Sequence, residues 1–117
     1  MDWIQLTNEQ ELNDIKDLSN SQPVLIFKHS TRCSISSTAL NRLERSWKDE
    51  EVKNIKPYLL DLLSFRSVSN NITDQFKIPH ESPQILLIRN GQCVYSASHL
   101  SINYQEILKQ AETSVAS

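Results

Sequence analysis

The stretch that decides the fold of this chain reads Val24-Leu25-Ile26-Phe27-Lys28-His29-Ser30-Thr31-Arg32-Cys33-Ser34-Ile35-Ser36. Its four leading apolar residues predict a strand, Val24 to Lys28, that is covered on both faces. The Ser and Thr residues after it can cap a helix, so we expect Cys33 where a strand gives way to a helix. A thiol there lies among unpaired backbone N–H groups and at the positive end of the helix dipole, and both favour the reactive thiolate.

The residues around Cys33 help to decide whether it is a structural cysteine or a reactive thiol. Free cysteine is among the most often buried residue types, so one reading is a structural cysteine. The neighbours from Ser30 to Ser36 are mostly polar, which favours a reactive thiol with Arg32 as a candidate cationic stabiliser. Because Ser36 stands where a dithiol motif would have its second cysteine, the thiol has no neighbouring resolving partner.

Composition places the chain among ordinary globular proteins. Its 117 residues, 38% hydrophobic, predict one domain spanning 1–117 with its own core. A net charge of −2 gives no reason to expect nucleic acid or an anionic membrane as partner. The N-terminus lacks a signal-peptide pattern, and two distant cysteines do not form a secreted disulfide framework, so we expect a cytoplasmic protein.

Gly91 is the only glycine in the chain. Dinucleotide-binding fingerprints and P-loops need several glycines so that the backbone can approach phosphate. Nucleotide binding through these motifs is therefore excluded.

Helices are predicted from apolar residues at helical spacing. The first has a capping-box pattern at Thr7 and Gln10, the third a candidate cap at Ser67 or Ser69, and the last begins near Ser101. Residues 112–117 are expected to be a frayed tail. The predicted buried faces are Leu12, Ile15 and Leu18; Ile35, Ala39, Leu43 and Trp47; Val68, Ile72 and Phe76; and Tyr104, Ile107, Leu108 and Ala111.

Apolar runs predict the remaining strands, which are Trp3–Leu6, Tyr58–Leu63, Ile85–Ile88 and Cys93–Ala97. Asn90-Gly91 predicts a tight hairpin between the last two. The order (β)αβαβαββα, two crossovers and then a hairpin and a helix, predicts an α/β protein with a mixed central sheet between helices. Together with a thiol after the first central strand, this order matches the three-layer α/β/α thioredoxin-like fold.

Ser82-Pro83 precedes the strand Ile85–Ile88. A proline at this place is most often a simple strand-start residue. Within a thioredoxin-like order it resembles that fold's cis-proline, where the preceding backbone offers N–H and C=O groups to an extended thiol substrate.

The other candidate residues carry weaker signals. Cys93 is read as structural, with a distant resolving role left open. His29 and His80 flank the two loops of the expected active surface, and Lys28, Arg32 and Arg89 are expected to be solvated or part of an anion site. The three histidines and two cysteines have no zinc-site spacing, so we expect no metal.

Two segments also resemble a known family. Phe27-Lys28-His29-Ser30-Thr31-Arg32-Cys33-Ser34-Ile35-Ser36 and His80-Glu81-Ser82-Pro83-Gln84-Ile85-Leu86 resemble the monothiol bacilliredoxins, which are YtxJ-like redox proteins of the thioredoxin superfamily. The family's common pattern is Thr-Cys-Pro-Ile-Ser. Here Arg32 stands between Thr31 and Cys33, and Ser34 replaces the proline.

The resemblance implies thiol–disulfide exchange that removes bacillithiol from protein mixed disulfides, with Cys33 as nucleophile. Arg32, Ser34 and Ser36 would stabilise its thiolate, and Ser36 would hydrogen-bond it. Thr31, Ser82 and Pro83 would bind substrate. No tightly bound cofactor is implied; bacillithiol is a co-substrate, the partners are bacillithiolated clients and free bacillithiol, and a bacillithiol disulfide reductase recycles the product.

The same residues also fit two other functions. The first is an iron–sulfur carrier of the monothiol glutaredoxin type, although Cys33-Ser34-Ile35-Ser36 shares only the ends of that class's Cys-Gly-Phe-Ser motif. The second is a non-enzymatic thioredoxin-fold protein that uses the thiol as a sensor.

Overall fold

The computed structural model describes residues 1–52 and 54–116, the last four of them without their side chains. Within the described residues, strands and helices alternate up to the fourth strand, and the fifth strand, one short 3₁₀ turn and the last helix follow; there are five strands and four helices. They are β1 (Ile4–Gln5), α1 (Glu9–Leu18), β2 (Val24–His29), α2 (Ser34–Ser46), β3 (Lys56–Asp61), α3 (Arg66–Phe76), β4 (Gln84–Arg89), β5 (Gln92–Ser98), the 3₁₀ turn (His99–Ser101) and α4 (Tyr104–Ala116).

The five strands form one mixed sheet in the order β1-β3-β2-β4-β5. Strands β1, β3 and β2 are parallel, whereas β4 runs antiparallel to β2 and β5 antiparallel to β4. Apolar residues of α1 and α3 pack on one face of the sheet, and those of α2 and α4 on the other. The predicted three-layer α/β/α architecture with a mixed sheet is therefore confirmed.

Strand β2 is the centre of the core, and each of its six residues is buried. Val24 and Ile26 belong to the cluster beneath α1 and α3, while Leu25 and Phe27 belong to the cluster beneath α2 and α4. This alternation follows from the two-residue period of a strand, and it explains why the sequence shows an unbroken apolar run.

The register of β2 against β4 brings two distant loops together. Lys28 near the end of β2 pairs with Gln84 at the start of β4. Cys33 lies shortly after the former and Pro83 directly before the latter. Since the strands are antiparallel, both loops leave the sheet at the same edge.

The cap of α1 lies one residue later than predicted. Asn8 is the N-cap, and its Oδ1 accepts the Glu11 N–H at 3.0 Å. The Glu11 carboxylate accepts hydrogen bonds from both the N–H and the hydroxyl of Thr7. Asn8 and Glu11 form the better pair because the carboxylate can reach back to two donors, so the prediction of Thr7 with Gln10 is wrong.

The predicted buried face of α2 is also partly wrong. Its buried stripe runs through Ser36, Ala39 and Leu43, so Ile35 lies about 100° round the helix and is 48% exposed. Trp47 follows the last helical residue and packs on the core as part of the C-cap.

Other boundaries also differ from the sequence prediction, and the first strand is Ile4–Gln5 rather than Trp3–Leu6. Strand β3 ends at Asp61 because that side chain accepts the Leu63 N–H and starts a turn. Helix α3 then begins at Arg66, so neither Ser67 nor Ser69 caps it.

The last helix begins at Tyr104 rather than near Ser101. Asn103 accepts the Glu106 N–H and so starts the helix after the 3₁₀ turn. Helix α4 includes most of residues 112–117, whose fraying stays a prediction, and Ser117 lies outside the described residues. None of the helices in the described residues combines the length and the hydrophobicity that a membrane span requires.

Candidate active site

Cys33 is the N-cap residue of α2 and is half-buried. Its N–H donates to the Ser30 carbonyl at 3.2 Å, and its carbonyl accepts the Ser37 N–H at 3.1 Å. The side chain makes no capping hydrogen bond with the described residues. Because the first N–H groups of a helix lack intrahelical acceptors, the sulfur lies beside donors that a thiolate could use.

The residues on both sides of Cys33 are open to solvent. Thr31, Arg32, Ser34 and Ile35 are exposed, so a half-buried thiol lies within an accessible rim. No contact with the Cys33 sulfur is seen for Arg32 or Ser34 among the described residues. Their proposed stabilisation of a thiolate therefore depends on nearness in sequence and on side-chain movement.

Ser36 is fully buried and is already hydrogen-bonded, unlike the expectation that it would bond the thiolate. Its Oγ accepts the Ser30 N–H at 3.1 Å and lies 2.7 Å from Nδ1 of His29. The hydroxyl can donate its own proton to Nδ1 when the neutral ring carries its proton on Nε2. Ser36 therefore holds the loop before Cys33 in place.

His29 is buried at the end of β2 with its ring against Phe27. Burial lowers the pKa of His29, and the carboxylates of Asp61 and Glu44 partly oppose this shift. The ring is thus favoured in its neutral form, with Nδ1 free to accept from Ser36. His29 supports the loop geometry rather than lying on the surface.

The second loop carries Ser82 and Pro83. Their peptide bond is cis, and the Pro83 carbonyl accepts the His99 N–H at 2.9 Å. Neither the N–H nor the C=O of Ser82 has a hydrogen bond within the described chain, and its buried Oγ is also unpartnered. These backbone groups are available to a ligand at the edge where Cys33 lies.

A partly buried contact that the sequence analysis missed, between Lys28 and His80, lies under this loop. Lys28, expected to be solvated, is fully buried, and its Nζ is 2.7 Å from Nδ1 of the exposed His80. Burial lowers the pKa of Lys28 to about 8. Its place in an unbroken buried strand, on the same face as Ile26, was a usable signal for burial.

Cys93 and Arg89 lie away from the site. Cys93 pairs across β5 and β4 with Ile88, and Ile88 pairs with Val24 at the start of β2. Cys33 follows the other end of β2. That end is about 16 Å away along the strand, beyond disulfide reach. The Cys93 thiol donates to the Tyr95 carbonyl, and burial raises its pKa, as fits a structural cysteine.

Arg89 donates to the Ser19 carbonyl at 2.8 Å and is not part of an anion site near Cys33. Across the described residues, no group of three or more His, Cys, Asp or Glu side chains could hold a metal ion.

Comparison with known proteins agrees with this geometry. The family model described as monothiol bacilliredoxin BrxC matches residues 4–107. A solved structure described as a candidate oxidoreductase with a thioredoxin fold is 24% identical, with a TM-score of 0.77 over 92% of this chain and 91% of that one.

Two thioredoxins are similar in fold. That of Malassezia sympodialis has 10% identity and a TM-score of 0.75, covering 97% of this chain and 90% of its own. That of Fasciola hepatica has 11% identity and a TM-score of 0.72, covering 94% and 97%. The chain has the thioredoxin fold.

Proposed function

The chain belongs to the monothiol bacilliredoxin family, and we propose that it removes bacillithiol from protein mixed disulfides through Cys33. Thiol redox chemistry follows from the family and the fold. The observation that carries the proposal is a half-buried free thiol at the N-cap of α2, within an exposed rim and with no second cysteine near it.

The proposed reaction has two exchange steps. The Cys33 thiolate attacks the bacillithiol sulfur of the mixed disulfide, and the client sulfur leaves as a thiolate that takes a proton from water. Cys33 then carries bacillithiol in a disulfide. A second bacillithiol thiolate attacks the bacillithiol sulfur of that disulfide, so Cys33 leaves as the thiolate and bacillithiol disulfide is formed.

Substrate would be held by both loops. The free N–H and C=O of Ser82 suit an extended client segment, which can pair with them as an added strand would. Thr31 and Pro83 would contact the client segment as it approaches Cys33. Arg32 and Ser34 would stabilise the thiolate form of the Cys33 sulfur. Bacillithiol is a co-substrate, and a bacillithiol disulfide reductase would recycle the product in a reducing cytoplasm.

The proposal predicts different effects for the two cysteines. In turnover with a bacillithiolated client protein and free bacillithiol, Cys33→Ser should abolish release of the client thiol. Cys93→Ser should keep most of the wild-type rate, because the small thiol resolves the intermediate.

The release of client thiol can be followed by the intact mass of the client, which falls by the mass of the bacillithiol it loses. A Cys33→Ser protein that still releases the client, or a Cys93→Ser protein that stops after one turnover, would contradict the monothiol cycle. A wild-type protein that releases one equivalent of client thiol and then stops, with bacillithiol retained on Cys33, would indicate a sensor.

A further inference from the structure

A buried lysine lies under the loop that carries Ser82 and Pro83. Lysine is almost never fully buried unless it is paired, because removing an ammonium group from water is costly. Lys28 is nevertheless fully buried, in the central strand of the sheet. Its partners all belong to the segment 79–84, which contains the loop.

Two buried polar side chains of the sheet, Lys28 and Gln84, hydrogen-bond to this segment. Lys28 Nζ is 2.7 Å from His80 Nδ1 and 3.4 Å from Gln84 Oε1. Gln84, the cross-strand neighbour of Lys28, donates from Nε2 to the Pro79 carbonyl at 3.1 Å, and its Oε1 accepts the Glu81 N–H at 3.4 Å. Three consecutive loop residues are thus tied to two adjacent strands.

The chemistry of the pair fixes the protons. An ammonium group has no lone pair, so Lys28 donates and Nδ1 of His80 accepts, which leaves the His80 proton on Nε2. Burial, followed by the charges of Lys28 and Arg66, lowers the pKa of His80, and Glu81 opposes the shift. A neutral His80 is what this contact requires.

We propose that Lys28 is a positioning residue for disulfide exchange with protein clients. Its contacts with His80 and Gln84 hold the loop so that the Ser82 backbone meets an incoming client segment. This role rests on the proposed function. The fold itself does not call for an ammonium group here, since an apolar side chain of similar length would fill the same space without a buried charge.

Lys28→Met tests the proposal because it keeps the volume and removes the donor. The matched control is Lys56→Met, an exposed lysine at the far end of the sheet. We expect Lys28→Met to raise the KM for a bacillithiolated protein client by about five-fold or more, roughly the worth of one hydrogen bond. We expect kcat and the alkylation rate of Cys33 by iodoacetamide to stay close to wild type, and Lys56→Met to change neither constant.

His80→Ala provides a second variant at an exposed position, so its folding does not depend on core packing. It should raise the client KM in the same way, and the double variant should be no worse than Lys28→Met, since both remove one contact. An unchanged client KM in Lys28→Met and His80→Ala, or an equal loss of Cys33 alkylation, would overturn the positioning role.

Nitrogen-15 NMR of the histidine rings tests the contact without any assay of exchange. Wild-type His80 should show the Nε2–H tautomer, and its pKa should rise in Lys28→Met because a neighbouring positive charge is lost. Unchanged His80 signals in Lys28→Met would show that Lys28 and His80 are not in contact. If the wild-type protein shows the Nε2–H tautomer of His80 but is inactive towards clients, the proposed function is refuted and the Lys28–His80 contact is confirmed.

Discussion

At the scale of single residues, the loop before Cys33 is shaped by hydrogen bonds beneath it. The Ser36 hydroxyl joins the His29 ring to the Ser30 backbone; its contact with the ring is buried, and its contact with the Ser30 N–H is partly buried. A buried donor or acceptor that loses its partner costs more free energy than the bond itself contributes. The geometry of the thiol therefore depends on a serine that does not touch it.

Ser36→Ala should lower the free energy of unfolding by about 1–3 kcal/mol, because the Ser30 N–H and His29 Nδ1 lose their partner. Urea unfolding measures this. Thr38→Ala on the exposed side of α2 is the control and should change stability by less than about 0.5 kcal/mol. Equal effects of the two substitutions would show that the buried bond contributes nothing.

His29 gives the protein a pH-dependent stability. Its folded-state pKa lies below the unfolded value of about 6.5, so the unfolded chain binds more protons as the pH falls. Neutral His29 therefore stabilises the folded state fully above the unfolded pKa, and this stabilisation is lost as the pH falls through the folded-state pKa. The pKa of His80 is shifted in the same direction.

Free energies of unfolding measured from pH 8 to pH 5 should show this decrease. His29→Asn should reduce the slope, because an amide can accept from Ser36 but does not titrate there. A slope unaffected by His29→Asn would refute this assignment.

At the scale of elements, the β4–β5 hairpin shows which local signals are reliable. Asn90 and Gly91 both have positive φ, 55° and 74°, as a two-residue turn of this type needs. A Cβ at Gly91 would meet nothing within 4 Å, so any cost of a side chain comes from the backbone alone.

Gly91→Ala should therefore lower the free energy of unfolding by about 1–2 kcal/mol, the cost of a left-handed conformation for an ordinary residue. Gly91→Asn is the matched variant and should lose less, because asparagine tolerates this region. Chemical denaturation of the three proteins checks the order, and a loss as large for asparagine as for alanine would be inconsistent with it.

Hydrophobic period and turn residues were enough to predict the elements, but not the ends or rotation of the helices. The stripe of α2 passes through Ser36, a polar residue that no hydrophobic pattern includes, so Ile35 was given the wrong environment. Caps such as Asn8 depend on which side chain reaches back, and several neighbours could do so. Such choices are decided by individual side-chain contacts, local ones at the cap and the buried Ser36 contacts in α2, which a hydrophobic pattern does not specify.

At the scale of the whole molecule, the site is made where two loops far apart in sequence leave one edge of the sheet. Strand order and register bring Cys33 and Ser82-Pro83 there. The sequence could predict that much from the order of elements. The Lys28 contacts could not be predicted, because they join side chains 52 and 56 positions apart.

Exchange in one turnover tests the central claim most directly. The wild-type protein is mixed with one equivalent of a client whose single cysteine carries bacillithiol, without free bacillithiol, and intact masses are recorded over time. We expect the bacillithiol mass to move from client to protein, with peptide mapping placing it on Cys33 and the client released as a free thiol. A client that keeps its bacillithiol, or a transfer that maps to Cys93, would contradict the account.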